Sequence, residues 1–386
     1  MNGVPGWILP EMILCNEGMP KCTLCKKRRL ECNYPSQNDD EDSPVALSSA
    51  QDGTESGTVT PAEYSQATRL LETRLFHQWM TSTHHTLSQD GLSAHHLSMI
   101  IPRMASSCAY LLDSIHALSA LHLASIEPEN RASWLDAAVR YQGQTCAGLG
   151  KILPAISESD YEPAFVTSIF IMLFAMGVRV LSLDSRPLDP LSVVLESRTL
   201  MSGPAMLFCR LNQGGIEAQL DGWLCAPDTQ ERLETGEASH GGVPVENTEI
   251  LFNLHENIMM SLARLRSMID TMKGPDQPIY QVTWQQLHQA IEPWPRIGPY
   301  GGPIAWPLFL DDRFSSLLQN GDWMARVLFL HYGIAMRLMC HRWYVRDWGR
   351  RLVLATLEQL DNIPQEWEET IAWIRLAAER ELQLLP

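Results

Sequence analysis

Apolar residues recur along most of this chain every three or four positions, which is the spacing of amphipathic α-helices. The clearest helix start is Thr60-Pro61-Ala62-Glu63, which has the form of a capping box with proline at the first helical position. Apolar residues then fall on one predicted face at Tyr64, Ala67, Leu71, Leu75 and Trp79. The pattern predicts a helix that runs from here to about Leu87.

The same periodicity predicts helices through much of the remaining chain. Their approximate ranges are Ser107–Ile126, Glu129–Ile152, Pro163–Leu183, Val245–Met272, Asp322–Tyr344, Asp347–Asp361 and Pro364–Leu384. Residues 88–100 and the Gly/Pro-rich stretch Pro293–Pro307 are predicted to be loops. No segment alternates cleanly between apolar and polar residues, so no strand is predicted. We therefore expect an all-α fold, a multi-helix domain with no internal repeat.

The most apolar stretch, Ala164–Val178, lies within one of these helices and has no polar face. At about 15 residues it is shorter than the ~20 that a bilayer-spanning helix needs, so we predict a buried central helix and no membrane span. Methionine and phenylalanine suit the lining of an apolar ligand pocket, although such side chains more often form plain core. The candidates are Phe165, Ile169, Phe170, Met172, Leu173, Phe174 and Met176. The sequence does not separate ligand-binding residues from core residues among them.

Charge is distributed unevenly along the 386 residues. The net charge of −16 argues against nucleic-acid binding by the whole surface. Residues 1–35 instead carry five Lys and Arg against three Asp and Glu. Residues 36–60 contain no aromatic residue and include the acidic run Asp39–Asp42, so we predict a disordered acidic, Ser-rich linker. The predicted organisation is a small basic segment (1–35), the linker (36–60) and a helical domain (61–386).

Four of the nine cysteines form the pattern Cys15-x6-Cys22-x2-Cys25-x6-Cys32. Thiolates two residues apart can hold one Zn²⁺ from a single tight turn, and further cysteines complete the tetrahedron. Basic residues lie among these cysteines, where they favour the thiolate form and can contact phosphate. They are Lys21, Lys26, Lys27, Arg28 and Arg29. The segment therefore predicts a zinc site next to DNA-contacting side chains.

This spacing resembles the second part of the fungal binuclear zinc-cluster (Zn2Cys6) motif, in which C-x2-C-x6-C occurs on both sides of a loop. Cys15 stands at the family's third cysteine, and Cys22, Cys25 and Cys32 stand at its fourth to sixth. The resemblance implies a nuclear regulator of RNA polymerase II transcription that binds zinc, specific DNA sequences and transcriptional co-regulators. The first C-x2-C would fall near residues 5–8, which read Pro-Gly-Trp-Ile, so the finger is incomplete. Four thiolates can hold one zinc ion but cannot build the two-zinc cluster.

The incomplete finger leaves three interpretations open. Residues 1–14 could be a misassigned start, in which case the true gene product carries the complete finger. The chain could instead be a natural truncation, a helical regulator that binds a ligand or partner without specific DNA binding. The cysteines could also be unrelated to metal. The run Lys26–Arg29 suits a nuclear import signal as well as phosphate contacts.

The helical part resembles the regulatory domain of the fungal sterol uptake control proteins. The similar segments are Leu71–Trp79, Ile101–Arg103, Leu111–Ala124 and Arg342–Trp348. This resemblance implies an all-α domain that senses a hydrophobic small molecule, which is a sterol in that group. The residues alone leave the ligand, the target genes and the oligomeric state open.

The motifs of common enzyme classes are absent from the sequence, and we predict that the chain is not an enzyme. There is no G-x-S-x-G, and no G-x-G-x-x-G opens a helix after a strand. Gly143–Lys151 is rich in glycine, but Leu149 occupies the position where a phosphate-binding loop needs lysine.

The histidines and the remaining cysteines are predicted to have structural rather than catalytic places. The pairs His84-His85 and His95-His96 are expected at the surface or in turns, and His116 and His122 are expected in the core. Buried reduced thiols are predicted at Cys108, Cys146, Cys209, Cys225 and Cys340.

Overall fold

The computed structural model describes most of the predicted helical domain. The described residues are 61–88, 91–181, 192, 196, 198–200, 202–207, 248–294, 302–360 and 362–379. Within them every regular element is a helix, which confirms the predicted all-α fold. The chain divides into two compact units, Met1–Glu72 and Thr73–Pro386. The second unit contains the packing and the cavity described below, and of the first unit only the helical residues 61–72 are described.

Within the described ranges 61–88, 91–181, 248–294, 302–360 and 362–379, short connections link the helices. In chain order the α-helices are α1 (Pro61–Gln78), α2 (His84–Leu87), α3 (Gly91–His95), α4 (Ile101–Ala105), α5 (Ala109–Ile126), α6 (Arg131–Ile152), α7 (Tyr161–Leu181), α8 (Thr248–Thr271), α9 (Gln277–Ile291), α10 (Asp312–Gln319), α11 (Trp323–Met336), α12 (Trp348–Glu358) and α13 (Glu368–Glu379). A π-helical turn, Trp79–Thr83, joins α1 to α2, and a second, His96–Ile100, joins α3 to α4.

Several predicted boundaries agree with the structure, and others are corrected by it. Helices α5, α6, α7 and α8 begin and end within about three residues of the predicted positions where both ends are described. The predicted helix Asp322–Tyr344 is too long, because α11 ends at Met336 and the chain turns through Arg337–Met339. The loop predicted at residues 88–100 is wrong, since α3 and the π-helical turn His96–Ile100 lie there. Helices α4, α9 and α10 were also not predicted. The buried residues of α9, Tyr280, Thr283, Leu287 and Ile291, do keep helical spacing.

Helix α1 keeps its predicted buried face only in its second half. Leu75 and the following Trp79 are fully buried. Ala67 is exposed, Leu71 is half-buried and Leu70 has 65% of its surface exposed. The periodic pattern therefore identified the helix correctly but overstated the length of the face that it buries.

Helix α5 lies at the centre of the N-terminal helices. We had predicted this central position for α7. Helix α5 packs against α6, α7 and the π-helical turn Trp79–Thr83. Its small buried residues let neighbours approach on several sides, and Ser114 and Ser125 donate hydrogen bonds to carbonyls three residues earlier on the same helix. The approach to α6 is close, since a Cβ on Gly148 would lie 2.7 Å from the Cβ of Tyr110.

Helix α11 has the corresponding central position among the C-terminal helices. It contacts α8, α9, α10, α12 and α13, and nearly all its side chains are buried. A glycine pair sets its crossing with α12, because a Cβ on Gly349 would lie 2.5 Å from the carbonyl oxygen of Gly333. No larger residue fits at Gly349 without moving one of the two helices.

Two helical segments, Ala109–Ile126 and Glu158–Leu181, are long and apolar enough to cross a membrane by length and composition. Their most apolar windows are 72% and 67% buried inside the structure, which is how core helices of a folded domain pack. Helix α7 has 21 residues, which is long enough to span a bilayer, so the expectation that it is too short was wrong. Burial by neighbouring helices, rather than length, is the observation that favours a core helix.

Candidate functional site

The predicted zinc and DNA-binding residues all lie outside the described residues. They are Cys15, Cys22, Cys25 and Cys32 for the metal, and Lys21, Lys26, Lys27, Arg28 and Arg29 for DNA. Within the described residues no group of three or more His, Cys, Asp or Glu side chains could hold a metal ion. The zinc site and the DNA contacts therefore stay predictions from the cysteine spacing.

Two of the segments singled out in the sequence, Leu111–Ala124 and Arg342–Trp348, meet at one point in the structure with the turn that follows Leu71–Trp79. The imidazole of His122 on α5 stacks on the indole of Trp343, with ring centroids 5.2 Å apart and planes inclined by 19°. The Nδ1 atom of His122 lies 3.0 Å from Oγ1 of Thr83, at the end of that turn. Trp343 in turn donates from Nε1 to Oγ1 of Thr86 at 3.0 Å. The aromatic stretch near residue 343 thus joins α2 and α5.

Arginines complete this junction. Arg342 donates to the carbonyl of Thr86 at 3.2 Å, and Arg346 donates to the carbonyl of Ser125 at 3.3 Å. Arg131 donates to the neighbouring carbonyl of Ala124 at 3.2 Å. Two carbonyls in the last turn of α5 therefore accept from guanidinium groups, whose charge also matches the negative end of the helix dipole.

Helix α7 passes through the same junction at a glycine. A Cβ on Gly177 would lie 2.9 Å from Cδ2 of Leu121 and 2.9 Å from Cζ3 of Trp343. The backbone of α7 can therefore approach both α5 and the aromatic stretch. This close approach brings the second half of α7, with Met172 and Met176, against the C-terminal helices.

A cavity lies on this face of α7. Its lining residues are Met172, Ala175, Met176, Arg179, Leu200, Ile304, Tyr332, Tyr344 and Trp348. The empty space measures about 470 Å³ with its opening to solvent included, but the enclosed part is about 20 Å³, which is room for one water molecule. As it stands the cavity is a narrow, mainly apolar site that is partly open to solvent. A larger ligand requires its flexible side chains to move.

Tyr332 and Arg179 provide polar groups in the wall of the cavity, and each has a defined partner. Tyr332 is buried and stacks on Trp306 with centroids 4.7 Å apart, and burial raises the pKa of its phenol. Arg179 is the charged lining residue, and burial lowers the pKa of its guanidinium. Its Nη2 donates to the carboxylate of Glu196, from the chain that follows α7. A mainly apolar wall with a few oriented polar groups is the usual form of a small-molecule site.

The structure divides the predicted apolar candidates of α7 into two groups. Met172 and Met176 line the cavity. The remaining candidates are buried in the core and do not line it: Phe165, Ile169, Phe170, Leu173 and Phe174. Arg179 was not predicted as a lining residue. A single arginine at the end of an otherwise apolar helix was the available signal.

The histidine predictions are partly wrong. His84 and His96 are buried, with exposed fractions of 4% and 3%, and each lies at one end of a π-helical turn. Nδ1 of His84 lies 2.8 Å from the carbonyl oxygen of Trp79, and burial lowers the pKa of His84. Their neighbours His85 and His95 are exposed, as predicted.

The core histidines and the described cysteines agree with the sequence. His116 and His122 are buried, and burial lowers the pKa of each to about 4, so both are neutral near pH 7. Cys146 and Cys340 are buried free thiols, and Cys108 is a half-buried one. Burial raises the pKa of Cys340 to about 12 and leaves the thiol protonated and unreactive. Cys209 and Cys225 lie outside the described residues.

Comparison with known proteins gives one informative similarity. No known protein-family profile matches the chain. A protein of Gibberella zeae named "Zn(2)-C6 fungal-type transcription factor" is 32% identical over 130 residues. The match covers 32% of this chain and 26% of that protein, so it spans about a quarter of the relative's length. The chain is thus a distant, partial relative of a fungal Zn(2)-C6 transcription factor, in agreement with the family to which the cysteine spacing points.

Proposed function

We propose that this protein is a fungal zinc-cluster regulator of RNA polymerase II transcription. The similarity to a Zn(2)-C6 transcription factor over 130 residues is the observation that carries the proposal. The C-x2-C-x6-C spacing from Cys22 to Cys32 and its basic residues support it independently. In this proposal the N-terminal cysteines hold zinc, the basic residues contact DNA phosphates, and the protein acts in the nucleus with transcriptional co-regulators.

The helical domain is proposed to sense a hydrophobic small molecule at the cavity beside α7. Met172 and Met176 give the cavity an adaptable apolar wall, and Tyr344 and Trp348 connect it to the aromatic stretch that joins α2 and α5. A sterol is the ligand that the sterol-sensing resemblance favours. The enclosed space holds about one water molecule. A ligand as large as a sterol would therefore have to move Met176 and Leu200 aside.

A second function is favoured by the number of cysteines in the motif. Four cysteines stand where the binuclear cluster uses six, and the residues expected to carry the first pair are Pro5 to Ile8. A regulator with this finger would bind a ligand or a partner protein through its helical domain without reading a specific DNA sequence.

Selection of DNA from a random library distinguishes the two functions. A gene product that carries the complete finger, loaded with zinc, is expected to enrich one sequence motif, and Cys22→Ser is expected to abolish the enrichment. Cys108→Ser, outside the motif, serves as the control and retains it. Replacement of Lys26 and Lys27 by glutamine should weaken binding to all sequences alike and make it less sensitive to salt. Equal recovery of all sequences would contradict specific DNA binding and favour the second function.

A further inference from the structure

Arg179 places a positive charge in the wall of a mainly apolar cavity. Its side chain has only 28% of its surface exposed, and its guanidinium pairs with the carboxylate of Glu196. A guanidinium in such a place needs a carboxylate or another anion, since an unpaired buried charge is costly. Glu196 meets this need in the structure, but 45% of its own side-chain surface is exposed. The carboxylate that balances the charge of Arg179 is therefore accessible to solvent.

A residue close to Glu196 in the sequence also lines the cavity. Leu200, four residues later, forms part of the wall. Between them Arg198 pairs with Asp312 at the start of α10, with 2.6 Å from Nη1 to Oδ1. Asp312 has 90% of its side-chain surface exposed. Partly exposed ion pairs of this kind contribute little to stability, so these two pairs do little to fix the position of Leu200 in the wall of the cavity.

We propose that the cavity binds a small apolar carboxylic acid, whose carboxylate takes the place of Glu196 on Arg179. The planar guanidinium matches a carboxylate geometrically, and Arg179, which lines the cavity, already pairs with a carboxylate, that of Glu196. The apolar part of the ligand would displace Leu200 and lie against Met172 and Met176. The inference rests on the proposed ligand-sensing function, and it replaces the neutral sterol that the resemblance favours with an apolar carboxylic acid as the ligand of this site.

Ligands of other charge fit the site less well. A neutral apolar molecule leaves the pair between Arg179 and Glu196 in place and gains only apolar contacts. A cationic molecule meets the charge of Arg179 at the wall of the cavity. Among molecules with the same hydrocarbon part, the carboxylate should therefore bind most tightly.

Calorimetry with three ligands of equal chain length tests this preference on the full-length protein. The probes are octanoate, octanol and octylammonium, at one pH and one ionic strength. Octanoate is expected to bind at least about tenfold more tightly than octanol, because a charge-assisted hydrogen bond to a buried partner is worth that much or more. Octylammonium is expected to bind most weakly.

Substitutions at the two ion pairs assign the preference to Arg179. Arg179→Met should remove the difference between octanoate and octanol. Glu196→Gln should strengthen octanoate binding severalfold, because the carboxylate that competes for Arg179 is gone. This second test remains valid even if the Arg179→Met protein does not fold. Asp312→Asn, which breaks the neighbouring pair away from the cavity, is the matched control and should keep the ratio of the two affinities unchanged.

The possible failures have different meanings. Equal affinity for octanoate and octanol, or no gain in octanoate affinity with Glu196→Gln, would overturn the carboxylic-acid proposal but leave an apolar ligand site intact. Absence of binding by all three probes, in the wild-type protein and in Glu196→Gln, would overturn both this proposal and ligand sensing at the cavity.

Discussion

The imidazole of His122 and the indole of Trp343 stack with their ring centroids 5.2 Å apart. The two residues are distant in sequence, and each makes a further hydrogen bond, to Thr83 and Thr86 respectively. The stack therefore joins the N-terminal helices to the segment that turns from α11 to α12. Tyr344, the next residue, lines the cavity, so this junction also positions one wall of the proposed ligand site.

Replacement of Trp343 by phenylalanine should weaken this junction. The variant keeps an aromatic ring but removes the Nε1 donor from Thr86 and reduces the stack on His122. We expect the free energy of unfolding in urea to fall by about 1–3 kcal/mol. Trp323→Phe, at a half-buried position at the start of α11, is the control and should cost less than about 1 kcal/mol. Equal losses in the two variants would contradict the role given to Trp343.

Gly177 should tolerate no side chain. A methyl group there meets Leu121 and Trp343 at 2.9 Å, so Gly177→Ala is expected to lower the free energy of unfolding by about 1–3 kcal/mol. Gly150 on α6 has no atom within 4 Å of an added Cβ. There the same change should stabilise the helix by about 0.5–1 kcal/mol. Thermal unfolding of the two variants with the wild type measures both effects. A stable Gly177→Ala protein would show that α7 does not pack as closely as described.

Stability should fall as the solution becomes acidic, because several histidines are buried in the neutral form. Burial lowers the pKa of His331 to about 4, and the residue is enclosed between Ser261 and the carbonyl of Val327. In the unfolded chain its pKa is about 6.5. The unfolded state therefore binds the extra proton between these values, and the free energy of unfolding decreases as pH falls from about 6.5 to about 4.

Urea unfolding at several pH values tests this expectation with His331→Gln. The variant cannot take up the proton, so its stability should depend less steeply on pH than that of the wild type across this window. Its stability near pH 7 is expected to be lower, because the hydrogen bond at 2.7 Å to Ser261 is altered. The same steepness in both proteins would show that His331 is not held in its neutral form.

Helices that bury a continuous stripe of apolar residues were predicted correctly from the sequence. The prediction failed where tertiary packing does not follow the local spacing of apolar residues. Helix α5 was found from regularly spaced leucine and isoleucine. Helix α9 was missed because Thr283, a polar residue by type, occupies one of its buried positions. The end of α11 was misplaced because Trp343 and Tyr344 continue the apolar pattern while the backbone turns to bury them against α2 and α7.

The candidate site was also predicted only in part. The sequence identified α7 as a source of ligand-lining residues, and two of its methionines do line the cavity. It could not identify Arg179 as a binding group, because the partner Glu196 and the cover Leu200 reach it only through the fold. Long-range contacts of this kind leave no periodic signal in a single sequence.

Native mass spectrometry of the zinc-grown full chain tests the central claim most directly. The account predicts one bound zinc ion, lost in Cys22→Ser and in Cys25→Ser and retained in Cys146→Ser, whose thiol is buried in the helical domain. That result would establish a working metal site at the cysteine motif. A wild-type chain without zinc, or zinc that persists in both motif variants, would contradict the account of this protein as a zinc-cluster regulator.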